Sequence, residues 1–152
     1  TWSFLVRECK RILDNTGILS LNEAEWPLTN SRAFAKISAL ASRALWLAGR
    51  SFSPDGHHLG ITPMLERFLR TAGYHNIQRE VHTISFLPGT DAYSMCFHDY
   101  RVLFKLLQPF LQKMGVITSA EFDVLYEEMI TDLQSEDFCG LLSLLTVYGE
   151  KS

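Results

Sequence analysis

A helix, a glycine and a strand follow one another early in this chain, and this succession limits the possible folds most. Residues 3–15 carry apolar side chains at helical spacing, Gly17 stands where a helix end favours positive φ, and residues 18–24 have the pattern of a strand. Such an order is the second half of a β-α-β crossover, which joins parallel strands. The sequence therefore predicts an α/β fold with a parallel sheet.

Further strands and helices are predicted downstream. Alternation predicts a strand over residues 76–87, and the almost continuously apolar run 141–149 predicts a strand covered on both faces. Helices are expected over residues 31–50, 62–71, 98–114 and 118–133. Three strands are few for a sheet with helices on both faces, so we expect the sheet to lack partners on its N-terminal side.

The composition describes a globular chain and bears on its partners. Its 152 residues suit one domain, here a partial domain spanning 1–152, and 47% hydrophobic with 20% charged residues excludes a disordered chain. The net charge is −3 and no basic stripe is present, so nucleic acid is not an expected partner. No apolar run has the length of a bilayer span, so no membrane partner is expected either.

The cysteines and the first residue bear on location and completeness. Cys9, Cys96 and Cys139 are odd in number and widely spaced, which favours reduced thiols in a cytoplasmic protein over a disulfide framework. The first residue is Thr1 and not Met, so we expect the chain to be trimmed or part of something longer.

Three segments, in order, carry a family resemblance. Residues 2–27 begin with Trp2, continue with a helix containing Glu8 and Arg11, and reach a strand through Gly17. Residues 59–78 and 141–151, LGITPMLERFLRTAGYHNIQ and LLSLLTVYGEK, follow downstream. This order resembles the C-terminal half of class I S-adenosylmethionine-dependent methyltransferases, from the stretch after strand four to the seventh, antiparallel strand.

The resemblance implies a half of a Rossmann-like sheet and a methyl-transfer function. Residues 88–138 would be a helical insertion between the last two strands, and the substrate would be a small or medium organic molecule. The family's Pro-Gly-Gly turn is Asn15-Thr16-Gly17 here, and the chain contains no Gly-x-Gly. S-adenosylmethionine would thus be bound mostly by residues outside this chain, with Trp2 as a weak contact, and the 152-residue piece alone would be inactive.

Polar residues crowd the end of the first predicted strand. Ligands of open α/β sheets bind beyond the carboxyl ends of the strands, so Asn22, Glu23, Glu25 and Trp26 are candidate substrate-binding residues. A hydroxyl acceptor needs a base, and Glu23 or Glu25 could accept that proton or bind a cationic group. Alternatively, both carboxylates are solvated charges in a turn after the strand.

Histidines supply further candidates. His57, in the Pro-Asp-Gly loop of residues 51–60, could cover the site, although a plain surface loop is the favoured interpretation. No carboxylate or cysteine stands at ligand spacing from it, so no metal is expected. His98, at the start of the predicted insertion, is a second candidate for the catalytic base, in addition to Glu23. The Cys96–His98 spacing favours the start of a helix over nucleophilic catalysis.

Aromatic residues are dense between positions 86 and 104. Tyr93 and Phe97 are candidates for the wall of an apolar substrate pocket. At helical spacing such rings more often belong to a core, which is the favoured interpretation.

A non-catalytic interaction module is the alternative function. A half-sheet would leave a strand edge unpaired, and such an edge pairs readily with another chain. The chain would then form a homodimer, exchange segments with a second copy, or bind a missing N-terminal half. The absence of a glycine-rich cofactor loop favours this alternative, and the polar cluster at residues 22–26 favours the enzyme.

Overall fold

A computed structural model describes residues 1–151 and has a mixed α/β structure. Five α-helices and four strands follow in the order α1 (Trp2–Ile12), β1 (Ile18–Ala24), β2 (Leu28–Thr29), α2 (Arg32–Leu47), α3 (Leu65–Thr71), β3 (His75–Ser85), α4 (Asp91–Lys113), α5 (Ser119–Leu133) and β4 (Gly140–Glu150). A short 3-10 turn, Thr62–Met64, leads into α3. None of the described helices combines the length and the apolar character needed to cross a bilayer.

Strand β4 pairs with each of the other three strands. It runs antiparallel to β1, with Ile18 opposite Glu150, and antiparallel to β2. At the ends of the β3–β4 pair, Phe86 N donates to Gly140 O and the Asn76 amide donates to the Glu150 carboxylate, so β3 is antiparallel to β4 as well. The predicted pairing of parallel strands is therefore wrong. β1 and β3 do run in the same direction, but β4 lies between them.

The boundaries of two predicted elements needed correction. Helix α4 begins at Asp91 and not at residue 98, because Thr90 closes the preceding turn by donating its hydroxyl to Leu87 O at 2.8 Å. Cys96 and His98 consequently lie inside α4 and not at its start. Strand β3 spans His75–Ser85 where 76–87 was predicted, and the two-residue strand β2 was not predicted at all.

The predicted full covering of the last strand is also wrong. In β4 only Gly140, Val147 and Gly149 are buried, and the other positions are half-buried or exposed. A run of leucines therefore marked the central strand of the sheet correctly but overstated its burial.

The chain forms two compact units. Unit 1 contains residues 1–25, 60–82 and 143–151, and unit 2 contains residues 26–59 and 83–142. Strands β3 and β4 each contribute residues to both units.

Unit 2 is built from α2, α4 and α5 around aromatic side chains. Phe34, Phe104 and Phe122 are fully buried, and the Phe34 ring meets the Phe104 ring edge to face at 5.2 Å between centroids. The capping box predicted for α5 is confirmed, since Thr118 accepts from the Glu121 N–H and the Glu121 carboxylate accepts from the Thr118 N–H.

Unit 1 packs α1 and α3 together beside its strands. Val6, Leu65 and Leu69 are fully buried, and Val147 of β4 is 1% exposed. The Trp2 ring stacks on Phe68 at 5.7 Å. The outer side of α1 keeps three large apolar side chains exposed, namely Phe4, Leu5 and Ile12.

Candidate functional site

The predicted site residues divide between the two units. Trp2, Asn22, Glu23 and Glu25 lie in unit 1, and Trp26, His57, Tyr93, Phe97 and His98 lie in unit 2. The geometry around each group is described within its own unit.

Glu25, just beyond β1, holds the start of the turn that leads into α3. Its Oε1 accepts from the backbone N–H of Ile61 at 3.0 Å and from the Thr62 hydroxyl at 3.3 Å. A carboxylate at the amino end of a helical segment satisfies backbone donors and is favoured by their dipoles. Glu25 thus has a structural task, and its partners lie 36 residues away in the sequence.

Glu23 is placed differently from its neighbour. It is half-buried in β1, and among residues 1–151 its carboxylate has no hydrogen-bond partner. Burial, and next the negative charge of Glu25, raise the pKa of the Glu23 carboxyl. A carboxylate with a raised pKa is a better proton acceptor near neutral pH than an ordinary one. Of the two candidate carboxylates, Glu23 is therefore the one available for acid–base chemistry.

Asn22 is tied to the sheet. Its side-chain amide donates to the Thr146 hydroxyl at 2.8 Å, directly across the β1–β4 pair. Asn22 is an exposed residue, and the oxygen of its amide is a hydrogen-bond acceptor.

Trp26 belongs to the core of unit 2. Its indole N–H donates to the buried Ser42 hydroxyl at 3.0 Å, and its ring lies 5.6 Å from that of Phe104. With its only polar atom already bonded, Trp26 offers a ligand apolar surface and no hydrogen bond.

The loop that contains His57 has its own hydrogen-bond network. The buried Ser53 hydroxyl donates to Asp55 Oδ1 at 2.8 Å, and Asp55 also accepts from the His57 N–H. The backbone donor first, and then the Ser53 hydroxyl, lower the pKa of Asp55. Both His57 and His58 are exposed, in keeping with a surface loop. Sequence reasoning did not single out Ser53 and Asp55, although their spacing around the Pro-Asp-Gly turn is a recognisable turn signal.

The aromatic candidates on α4 pack against the core of unit 2. Tyr93 and Phe97 are half-buried with ring centroids 6.2 Å apart, and the Tyr93 hydroxyl donates to Leu133 O at 2.6 Å. His98 is exposed. Burial raises the pKa of nearby Tyr100 to about 12, so that phenol stays protonated at neutral pH. The interpretation of these rings as core residues is favoured by these contacts.

The thiol on α4 is not activated. Burial, and secondly the charge of Asp99, raise the pKa of the Cys96 thiol. A raised pKa lowers the thiolate fraction on which nucleophilic attack depends. The arrangement therefore speaks against a cysteine nucleophile at this position.

A groove of about 650 Å³ runs along α5. The sequence analysis did not predict a site there. It is lined by Asp123, Val124, Glu127, Glu128, Thr131 and Asp132. Acidic side chains on an exposed helix face do not by themselves specify a ligand. In residues 1–151, no group of three or more His, Cys, Asp or Glu side chains is arranged to hold a metal ion.

Comparison with known proteins does not add a relationship. No model of a protein family matches the chain, and a search of curated proteins finds no significant match.

Proposed function

We propose that this chain is the acceptor-side half of an S-adenosylmethionine-dependent methyltransferase that acts on a small or medium organic molecule. The observation that carries the proposal is Glu23, a carboxylate with a raised pKa near the end of β1 for which no hydrogen-bond partner is found within residues 1–151. Glu23 is the penultimate residue of β1, and its side chain is half-buried there. Glu23 would accept a proton from the hydroxyl or amine of the acceptor.

The order of the strands supports the proposal. The resemblance implies a last strand that is antiparallel to the strand after the first helix, and β4 is antiparallel to β1. Helices α4 and α5 fall between β3 and β4 in the chain, where the resemblance implies an insertion.

The residues present do not fit a complete cofactor site. The chain has no Gly-x-Gly turn, and the ring of Trp2 is already stacked on Phe68. We therefore assign the binding of S-adenosylmethionine to residues outside this chain. On this proposal Glu23 binds the acceptor and takes up its proton, whereas Asn22, the preceding residue of β1, projects from the opposite face of the strand.

The test uses the natural protein that contains this segment. Calorimetric titration with S-adenosylhomocysteine should detect binding at micromolar strength, and an intact-mass measurement should fix the true ends of the protein. A protein of confirmed mass that binds no S-adenosylhomocysteine would contradict the proposal.

The two neighbouring carboxylates then provide a matched pair of variants. With an acceptor in hand, Glu23→Gln should lower kcat by about 100-fold and remove the acidic limb of the pH profile, because the base is lost. Glu25→Gln should lower stability and keep that limb but move it to lower pH, because the charge of Glu25 raises the pKa of Glu23. Equal effects of both variants on the pH profile would argue against Glu23 as the base.

A second candidate function is an interaction module that binds through a strand edge. The observation that favours it is that β1 pairs with β4 on one side, and no pairing of its other side is found within residues 1–151. An unpaired edge presents backbone donors and acceptors to another chain.

A further inference from the structure

The backbone of β1 shows which residues face its open edge. Lys151 N donates to Gly17 O at 2.8 Å, which extends the β1–β4 register by one pair and makes Gly17–Lys151 a hydrogen-bonded pair. Hydrogen-bonded pairs recur at every second residue of an antiparallel ladder. Leu19, Leu21 and Glu23 therefore bond to β4, whereas the even-numbered residues direct their N–H and C=O groups outward: Ile18, Ser20, Asn22 and Ala24.

Over residues 18–22 the outward edge lacks the usual protection, and the first charged residue of β1 is Glu23. Natural edge strands carry a lysine, a proline, a bulge or charged side chains that discourage pairing. Residues 18–22 of β1 carry no charge and no proline, and the register with β4 continues without a bulge. The other edge of unit 1, β3, does carry charges, at Arg79 and Glu80.

We infer that β1 of one copy pairs antiparallel with β1 of a second copy, with Leu21 opposite its symmetry mate. This inference rests on the second candidate function and specifies its partner. A two-fold axis at Leu21 makes all seven residues of β1 overlap, and it places outward-facing residues only opposite outward-facing residues. The register is thus compatible with the hydrogen bonds that β1 already makes to β4.

The side chains of the face that carries Ile18, Ser20, Asn22 and Ala24 are self-complementary in this register. On one face, Ile18 lies opposite Ala24 of the second copy and Ser20 lies opposite Asn22 of the second copy, so apolar residues meet apolar ones and polar residues meet polar ones. On the other face, the two Leu21 side chains meet. The two Glu23 side chains are kept apart, because each faces Leu19 of the other strand. Ile18, which is 56% exposed in a single copy, would be covered.

The first measurement is sedimentation equilibrium on the whole chain and on Ser20→Pro. Proline removes the outward N–H of residue 20 but none of the donors that face β4, and proline is tolerated at the open side of edge strands. A symmetric dimer would lose two N–H···O bonds, which should raise its dissociation constant about 10-fold to 100-fold. Ser20→Thr, which keeps the N–H, should leave it unchanged, and circular dichroism should verify that all three chains are folded.

The second measurement is disulfide formation, which does not depend on the proline variant. In a background with Cys9, Cys96 and Cys139 changed to Ala, oxidised Leu21→Cys should yield a covalent dimer, because opposed residues lie within disulfide reach. Leu19→Cys is the matched control, since residue 19 would be about 13 Å from its mate. Peptide mapping should identify the 21–21 bond.

Three results would overturn the inference. They are a monomer at all concentrations, a dimer that Ser20→Pro leaves intact, and a covalent dimer that forms equally well at position 19. None of these results tests the methyltransferase proposal, which depends on the titration with S-adenosylhomocysteine. The dimer and the methyltransferase can therefore be disproved independently.

Discussion

Strands β1 and β3 are both paired with β4 on one side, but they differ in the charged residues that they carry. In β3 the stretch from Gln78 to His82 contains Arg79 and Glu80, and Arg79 also forms an ion pair with Glu66 at 2.9 Å. In β1 the first charged residue is Glu23, near the end of the strand. The difference indicates that β3 is built to remain an edge, whereas β1 lacks the features that would keep it unpaired.

The largest loss of stability is expected from a substitution in β4, because β1 and β3 both pair with this strand. Val147→Asp puts a carboxylate at a position of β4 that is 1% exposed, and a buried unpaired charge should lower the free energy of unfolding by more than about 3 kcal/mol. Urea denaturation followed by circular dichroism measures it. Ser143→Asp, at an exposed position of the same strand, should change the free energy of unfolding by less than about 0.5 kcal/mol. Equal losses for the two variants would contradict the central role of β4.

A smaller loss is expected at the end of β1. Glu25→Gln weakens the hydrogen bonds to Ile61 and Thr62 and should lower the free energy of unfolding by about 1 kcal/mol at pH 7. Hydrogen exchange should rise at the amides of residues 61 and 62 before it rises elsewhere. An unchanged exchange rate at those amides would mean that Glu25 does not hold this turn.

The edge of β3 provides a test with little effect on stability. Arg79→Thr combined with Glu80→Thr should cost less than about 1 kcal/mol, because the Arg79 side chain is 70% exposed and Glu66 keeps its ion pair with Arg70. The same change removes the edge charges, so light scattering should detect new concentration-dependent association. If association does not change, the charges do not protect this edge.

The smallest effect concerns Glu23 and depends on pH. Its pKa in the folded chain is raised, so the folded state binds the proton more tightly than the unfolded state. The stability contributed by the protonated carboxyl is present below the unfolded pKa and is lost as the pH rises through the folded pKa. Glu23→Gln should therefore raise Tm slightly at pH 7. Below pH 4 it should leave Tm nearly unchanged, because this pH is below the ordinary glutamate pKa of about 4.5 and the carboxyl is mostly protonated in both states. A lower Tm at pH 7 would contradict the burial of this carboxylate.

Strand positions were predictable from local patterns, whereas strand pairing was not. The leucines at 141–149 and the alternation at 76–87 located β4 and β3 to within two residues, because side-chain period and glycine positions are local properties. The pairing of β4 with both β1 and β3 depends on contacts between residues more than 50 positions apart, which periodicity does not encode. The expectation of an antiparallel last strand came from the resemblance alone.

The site residues illustrate the same limit. Sequence reasoning located Glu23 and Glu25 at a strand end but could not separate their tasks. The separation depends on the backbone of Ile61, which reaches Glu25 and not Glu23. Trp26 was likewise placed at a pocket mouth, although its partner Ser42 lies in a helix that any sequence reading would treat as independent.

The position of β4 in the chain has a consequence for biosynthesis. During translation, β1 and β3 are made long before β4, and neither has a partner until residues 140–150 emerge. Unpaired strands on an unfinished chain are prone to associate with other chains. The growing polypeptide therefore passes through an interval in which its edges are most exposed, and the synthesis of β4 ends that interval.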